Sequence, residues 1–396
     1  MTRMRHFSDA ERRARLATRH ALAAEAHVRT PEEAAAAVVA LHATDAPSVY
    51  LSVWARTPGV TVVDIDRALY TDRSLVKQLA MRRTLFAFPR DLAPAVLGSA
   101  AVRVATSERS RMARDLERAG MAADGSAWLD EARRAVIAAL SGEAEALSAA
   151  ELRRAVPLID VTVPGTAGET WSAPQVLTLL GAEGTIVRGP SNGAFPTGRP
   201  LWALPERWLG GRPAAMAAAD GYRELVRGWL HAFGPGTEDD IVWWLGATKA
   251  AVRLAIRQLD AVAVSLDGPA PGWVLPDDLD VVQAPAPWTA LLPPLDPSVM
   301  GWKGRGFYLG GHGPQLFDSR GNAGNTAWAD GRIVGSWIQD GGAVVRVRTL
   351  EPVSAVVREA LDTQATRLTA WLDGVRSPTG YRSPAMRVQE REHGLG

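Results

Sequence analysis

Apolar and polar positions change period three times along the chain in the same order. Each time a stretch with helical spacing gives way to two short strands that end at an apolar–proline corner. The first copy spans 61–89. Its last helix is expected over 74–83, Ser-Leu-Val-Lys-Gln-Leu-Ala-Met-Arg-Arg, with the strand Thr-Leu-Phe-Ala-Phe-Pro directly after it. The second spans 147–205, with a last helix over 171–180 and strands over 185–187 and 201–204. The third spans 236–276, with a last helix over 248–259 and strands over 261–266 and 272–275. This is the order of a winged helix-turn-helix, a module that mostly reads nucleic acid. One copy suits a regulator, whereas three in tandem suit a clamp around a duplex.

Ser8-Asp9-Ala10-Glu11 has capping-box spacing and starts a helix that should run to about residue 24. Thr30-Pro31-Glu32-Glu33 starts another, with Ala35, Val38, Val39 and His42 on one face. Thr44-Asp45-Ala46-Pro47 breaks it, and 48–56 reads as the next helix. Residues 92–140 look helical, with a break at 120–125. From 284 onward strand-like pieces dominate, at 289–292, 307–309, 326–329, 333–338 and 343–347, with a hairpin at Asp330-Gly331. A small β-barrel is expected there, followed by a helix over 354–372 and a loosely held tail from 377. The expected fold is therefore α+β. Its segments would be 1–120, 121–212 and 213–283, one winged helix each, and 284–396, the barrel.

The composition is that of a soluble protein, 47% hydrophobic and 22% charged over 396 residues. No apolar run nears the ~20 residues of a membrane span. The N-terminus, Met1 to His6, lacks the apolar core of a signal peptide, so a cytoplasmic protein with no membrane partner is expected. The net charge of +1 hides an asymmetry. Residues 1–120 hold 19 Lys and Arg against 13 Asp and Glu, whereas 121–283 hold 13 against 20. A polyanion should bind mainly through the first segment. Arginine supplies nearly all the cations, since Lys77, Lys249 and Lys303 are the only lysines.

The absence of cysteine removes disulfides, thiolate nucleophiles and Cys-bound metals. No phosphate-cradling glycine loop, His-Glu-x-x-His or nucleophile elbow is present, and the seven histidines are scattered. No metal or cofactor is expected. The candidate chemistry lies in Leu41-His42-Ala43-Thr44-Asp45-Ala46-Pro47, where an imidazole, a hydroxyl and a carboxylate share four residues. His42 suits packing as well as catalysis. Thr44 could bond back to a helix carbonyl, and Asp45 could cap the next helix. In the expected 74–83 helix, Leu75, Leu79 and Met81 supply the packed side, which leaves Lys77 and Gln78 for a duplex. Of Arg82 and Arg83, one should meet phosphate and the other a buried acid. Trp54, Trp328 and Trp337 are expected in the core, and Asp296 and Asp330 in turns.

The string from Val39 to Arg56, VALHATDAPSVYLSVWAR, resembles the first signature of the bacterial winged-helix DNA glycosylases, a family typified by the azinomycin-resistance enzyme. Three later strings resemble that family too: Met81-Arg82-Arg83-Thr84-Leu85-Phe86, Leu291-Leu292-Pro293-Pro294-Leu295-Asp296-Pro297 and Asp330-Gly331-Arg332-Ile333-Val334-Gly335-Ser336-Trp337. The resemblance implies three winged helices in a C shape, a C-terminal barrel and removal of N-alkylated purines from duplex DNA, in some members with cross-link unhooking. The family's Gln-x-Gln or Gln-x-Asp catalytic motif falls on His42-Ala43-Thr44, so both catalytic positions depart from it. The corresponding expectation is a monomeric, monofunctional hydrolase acting on N7-alkylated purines. In it His42 activates water, Thr44 holds the water and Asp45 fixes the imidazole tautomer. Arg56, Lys77, Gln78, Arg82 and Arg83 would hold the duplex. The rival expectation is a DNA-binding protein without catalysis.

Overall fold

The computed structural model describes residues 4–166 and 168–395; Met1, Thr2, Arg3 and Gly396 of the two termini lie outside the described residues. It is a mixed α+β protein. Ser8 caps the helix Asp9–Arg19 and Thr30 caps Pro31–Ala37, as their side chains predict. The second helix is shorter than its apolar stripe suggests. Val39 takes a left-handed conformation (φ 65°), and Leu41–His42 then runs as a strand. His42 thus leaves the helix and pairs with Phe86.

The expected 74–83 helix is not formed. Leu75–Leu79 is a strand antiparallel to Leu85–Pro89, with Lys77 opposite Ala87 and Gln78 opposite Phe86. Leu75, Val76, Gln78 and Leu79 are all buried. Val76 packs with Val187, Ala203 and Leu209, while Leu79 joins a different apolar cluster with Leu179 and Trp171. Covering both faces suits a pleated strand, and that tertiary demand overrides a sequence with good helix formers. The helix that precedes the hairpin is Val62–Asp66, continuing as the single wide turn Arg67–Thr71.

The second and third stretches follow the expected order. Helix Ala173–Ala182 leads to strands Val187–Asn192 and Arg199–Ala203, and Lys249–Gln258 leads to Val262–Leu266 and Gly272–Val274. The N-terminal strand His6–Phe7 adds to this last hairpin in parallel, so the first segment of the chain closes on the third. One apolar core runs through residues of 16–101, 222–259 and 288–372, and a second gathers 104–202 around Leu116, Trp171 and Ile186.

The C-terminal strands Thr289–Leu292, Thr326–Ala329, Arg332–Gln339 and Val345–Thr349 form an open antiparallel sheet in sequence order. No pairing closes it into the expected barrel among the described residues. Helix Ala355–Leu372 packs against both outer strands and covers the sheet instead. Asp330 and Gly331 form the predicted tight turn, both at positive φ. Residues 306–309 are a helical turn and not a strand, since Phe307 and Tyr308 must both face inward. The tail is not loose. Pro384–Glu392 is a helix whose Ala385, Met386 and Gln389 are buried against the sheet. No helix among the described residues is long and apolar enough to cross a membrane.

Helix Ala46–Trp54 carries Ser48 and Ser52 four residues apart, and Arg56 follows at the same interval just past its end. All three reach the 293–298 loop. Ser48 Oγ lies 2.8 Å from the Pro294 carbonyl, and Ser52 Oγ donates to Asp296 Oδ2 at 2.6 Å. Arg56 grips both Asp296 oxygens at 2.9 and 2.8 Å and donates to Ser298 Oγ at 2.9 Å. Arg56 and Asp296 have no exposed surface. Asp296 is therefore more than a turn former. Burial opposes its charge, and Arg56 with its hydroxyl and backbone donors overcomes that, holding the carboxyl below its ordinary range.

Removing one partner should leave the other charge buried and unpaired. Asp296→Ala is expected to cost about 3–5 kcal/mol, and the joint replacement Arg56→Met, Asp296→Leu distinctly less. Urea unfolding of the two variants checks this; equal losses would show that the pair is not held against desolvation.

Candidate functional site

The loop from His42 to Asp45 is fixed on both flanks. The Leu41–His42 strand joins the edge of the 75–89 hairpin, and Ala43 N–H continues the pairing to the Leu85 carbonyl at 2.8 Å. Thr44 Oγ1 accepts from Leu85 N–H at 3.1 Å, so its hydroxyl bonds the neighbouring strand and not a helix carbonyl. Thr44 is exposed, while His42 and Asp45 are buried on either side of it.

His42 keeps 4% of its surface and packs on Phe86, with ring centroids 4.8 Å apart. Its Nδ1 is enclosed without a hydrogen-bond partner among the described residues. Burial, reinforced by the positive charge of Arg82, depresses its pKa to about 3. The imidazole is neutral at physiological pH but weakly basic, which suits orienting a water better than fully deprotonating it.

Asp45 occupies the N-cap position of Ala46–Trp54 without accepting from a helix N–H. Its Oδ2 takes the Ser48 hydroxyl at 3.0 Å and its Oδ1 takes Thr379 at 3.2 Å. Burial raises its pKa, and the hydroxyl donors and the Gly380 backbone oppose the rise. No hydrogen bond joins Asp45 to His42, which corrects the expected role of Asp45 as holder of the imidazole tautomer. The carboxylate is committed to the C-terminal segment.

Two of the expected duplex-binding residues are ruled out by burial. Arg56 is wholly occupied by Asp296. Gln78 is 7% exposed, and its amide donates to the Gly181 carbonyl at 3.0 Å, tying the hairpin to the second core. Lys77 is half-buried, with Nζ donating to Tyr70 Oη at 2.8 Å. The nearby Tyr50 hydroxyl donates to Asp66 at 2.5 Å, and burial raises the Tyr50 pKa, helped by Tyr70.

Arg82 and Arg83 sit at the hairpin tip. Both have positive φ, 52° and 61°, and Thr84 N–H closes the turn on the Met81 carbonyl at 3.1 Å. Tight turns of this hand normally take Asn-Gly, and each non-glycine residue there costs roughly 1–2 kcal/mol. Arg83 is exposed and pairs with Glu108 at 2.7 Å, an acid that is itself mostly covered. Arg82 stacks on Trp243 at 3.9 Å. Arg305, absent from the sequence-based expectations, stacks on the same indole at 4.9 Å. Trp54, Trp328 and Trp337 are in the core, as expected.

A cavity of about 930 Å³ is lined by Glu32, Glu33, Asp72, Asp91, Arg90 and the 209–213 linker; it includes none of these candidates, and its wall is largely apolar with four carboxylates and two arginines. No cluster of three or more metal-binding side chains occurs among the described residues.

A family model described as DNA glycosylase AlkZ-like matches residues 35–371. No curated protein matches the sequence. Among solved structures, the DNA glycosylase AlkZ of Streptomyces sahachiroi is similar, with a TM-score of 0.73 and 20% identity over 94% of this chain and 99% of that one.

The buried imidazoles carry a consequence for acid stability. His42 and the fully buried His20 both fall from 6.5 to about 3 on folding, so the unfolded chain takes up protons first as pH drops. Their contribution is complete above pH 6.5 and is lost from there down to about 3, by up to ~1.4 kcal/mol per pH unit for each ring. Urea midpoints measured from pH 7 to 4 should fall. His42→Phe should make that fall shallower by about one proton; an unchanged slope would mean that His42 is not buried neutral.

Proposed function

Because the chain belongs to the AlkZ-like DNA glycosylase family, we propose that it hydrolyses the N-glycosidic bond of N7-alkylated purines in duplex DNA, as a monomer and without cutting the strand. We take the three helix-and-hairpin units as tandem winged helices that embrace the duplex, with residues 31–89 as the one nearest the reaction. Bulky and cross-linking adducts fall within this proposal, for repair or for self-resistance to a genotoxic natural product.

The chemistry asks little of the protein. A purine alkylated at N7 is already cationic, so it leaves with the C1′–N9 electron pair and needs no general acid. A water must approach C1′ from the opposite side and lose a proton as its oxygen bonds to carbon. The sugar passes through a state with oxocarbenium character, which nearby dipoles and negative charge stabilise. The exposed Thr44 hydroxyl stands where a water can be held. The neutral His42 ring orients it, and its proton passes to solvent. The buried Asp45 carboxyl lends a negative field when ionised. The observation that carries this reading is the loop itself: one exposed hydroxyl between a neutral imidazole and a carboxyl, clamped by strand pairing on one side and the Ser48–Pro294 contact on the other.

A second reading, adduct or DNA binding without hydrolysis, is favoured by one observation. The Asp45 oxygens are taken up by Ser48 and Thr379.

Duplex carrying N7-methylguanine or a bulky N7 adduct, treated with alkali after incubation, will separate the two. The parent should yield abasic sites, and Thr44→Ala and His42→Ala should each slow release by ~10²-fold or more. His42 itself should add no pH dependence to release between pH 5 and 8, because it is neutral throughout that range. Undiminished release in both variants would remove the site assignment, and no release from any adduct would favour binding alone.

A further inference from the structure

The hairpin tip and its surroundings hold cations that the fold does not neutralise. The Arg82 side chain makes no ion pair and no hydrogen bond among the described residues, and its Nε is buried without a partner. Arg305 donates Nε to the Trp302 carbonyl at 3.0 Å and likewise makes no ion pair with a carboxylate among the described residues. Both guanidinium groups lie against Trp243, and Arg305 also stacks on Phe317 at 4.5 Å. Four parts of the chain supply this cluster: the tip of the 75–89 hairpin, helix Glu238–Leu245, the 301–309 segment and Phe317. Asp240, whose charge acts on Arg305, is spent on its own neighbourhood. Its Oδ2 caps the helix at Thr237, and its Oδ1 accepts from the Lys303 and Gly304 N–H groups at 2.9 and 2.8 Å. Burial and mutual repulsion lower the pKa of Arg82 to about 10, as expected for cations held together without an anion.

Two further observations bear on what these cations could bind. The turn that presents Arg82 and Arg83 is strained at both residues, and Gly246 lies so close that a Cβ there would sit 3.1 Å from the Arg82 nitrogen. A fold selected only for stability would place Asn-Gly in that turn. In addition, the helix preceding the hairpin, Val62–Asp66 with its wide turn, is a poor phosphate reader. It carries Asp64 and Asp66, and its Arg67 is paired with Asp72 and Glu32. Among the described residues that helix offers no unpaired cation, whereas the hairpin tip offers Arg82.

We propose that Arg82 and Arg305, ordered by Trp243, form a clamp for a backbone phosphate of the bound duplex, next to the nucleotide that reacts at Thr44. This rests on the DNA-directed reading above. Thr44 is bonded to Leu85, and Leu85 follows Arg82 by only three residues along the hairpin. A phosphate held here would fix the deoxyribose relative to the water site, so Arg82 and Arg305 are positioning residues.

The test is anisotropy titration of a labelled, undamaged duplex at several salt concentrations, with melting temperatures for each protein. Arg305→Gln should weaken binding about tenfold and lower the slope of log K against log salt by about one. The double variant Arg82→Asn, Arg83→Gly should melt higher than the parent yet bind more weakly, since it relieves the turn while removing the cations. The exposed Arg358→Gln should match the parent in both measurements. An unchanged salt slope in Arg305→Gln would overturn the clamp, as would a double variant that melts lower and binds normally, because the cations would then be structural. Clamp behaviour without base release from an adduct would instead sink the hydrolytic reading alone. A parent that binds no duplex would sink both.

Discussion

The buried Arg56–Asp296 pair is the constraint on which the arrangement depends. It joins the helix after the His42–Asp45 loop to a loop more than two hundred residues later, with hydroxyls from Ser52 and Ser298 completing the shell. His20 extends the network. Its Nε2 faces the Ala232 carbonyl at 3.2 Å, so that nitrogen carries the proton and Nδ1 accepts from Ser298 at 2.8 Å. Four separate parts of the chain therefore meet in a region without water-facing surface. A pair of this kind contributes little net stability over apolar packing, but it tolerates only one docking geometry. That geometry sets where Ser48, and through it Asp45, must lie.

The four strings that resemble glycosylase signatures turn out to be one contact surface. The first and third meet through Ser48, Ser52 and Arg56 on Pro294 and Asp296. The first and second meet where His42 pairs with Phe86. The third and fourth meet where Trp337 Nε1 donates to the Leu292 carbonyl at 2.9 Å. Resemblance in these strings therefore reports mainly the framework around the loop. It says less about the loop's own chemistry.

Much of the architecture was legible where local signals agreed. Ser8 and Thr30 each cap a helix as their spacing predicts, and the strands of the third hairpin fall where the pattern puts them. The 74–83 segment failed because its helix formers are local, while the burial of Val76 and Leu79 against two different clusters is not. The same error displaced Lys77 and Gln78 from a helix surface to a strand covered on both sides. The barrel failed for a related reason: strand periodicity does not say whether a sheet closes, and here a helix covers its edges. Arg56 was misassigned even though a clue was present, since its four-residue spacing from Ser52 and Ser48 puts all three polar groups on the buried face of one helix. Arg305 had no comparable signal, because only the tertiary fold brings it to Trp243.

The electrostatics separate along the same lines. Three covered arginines are matched by carboxylates: Arg56 has Asp296, Arg15 has Asp278 and Arg109 has Asp130 and Glu183. Arg82 and Arg305 have aromatic faces instead, which orient a guanidinium without neutralising it. A stacked but unpaired guanidinium keeps its in-plane donors free for an incoming oxygen, and it loses little rotamer freedom when that oxygen arrives. Adding the left-handed backbone at Arg82 and Arg83 makes this the one hairpin tip where strain, repulsion and unmet hydrogen bonding coincide among the described residues. All three unfavourable terms are relieved or offset by a bound anion. A polyanion wrapped by the chain would thus meet unpaired guanidinium groups close to Thr44, on a scaffold whose global charge is close to neutral.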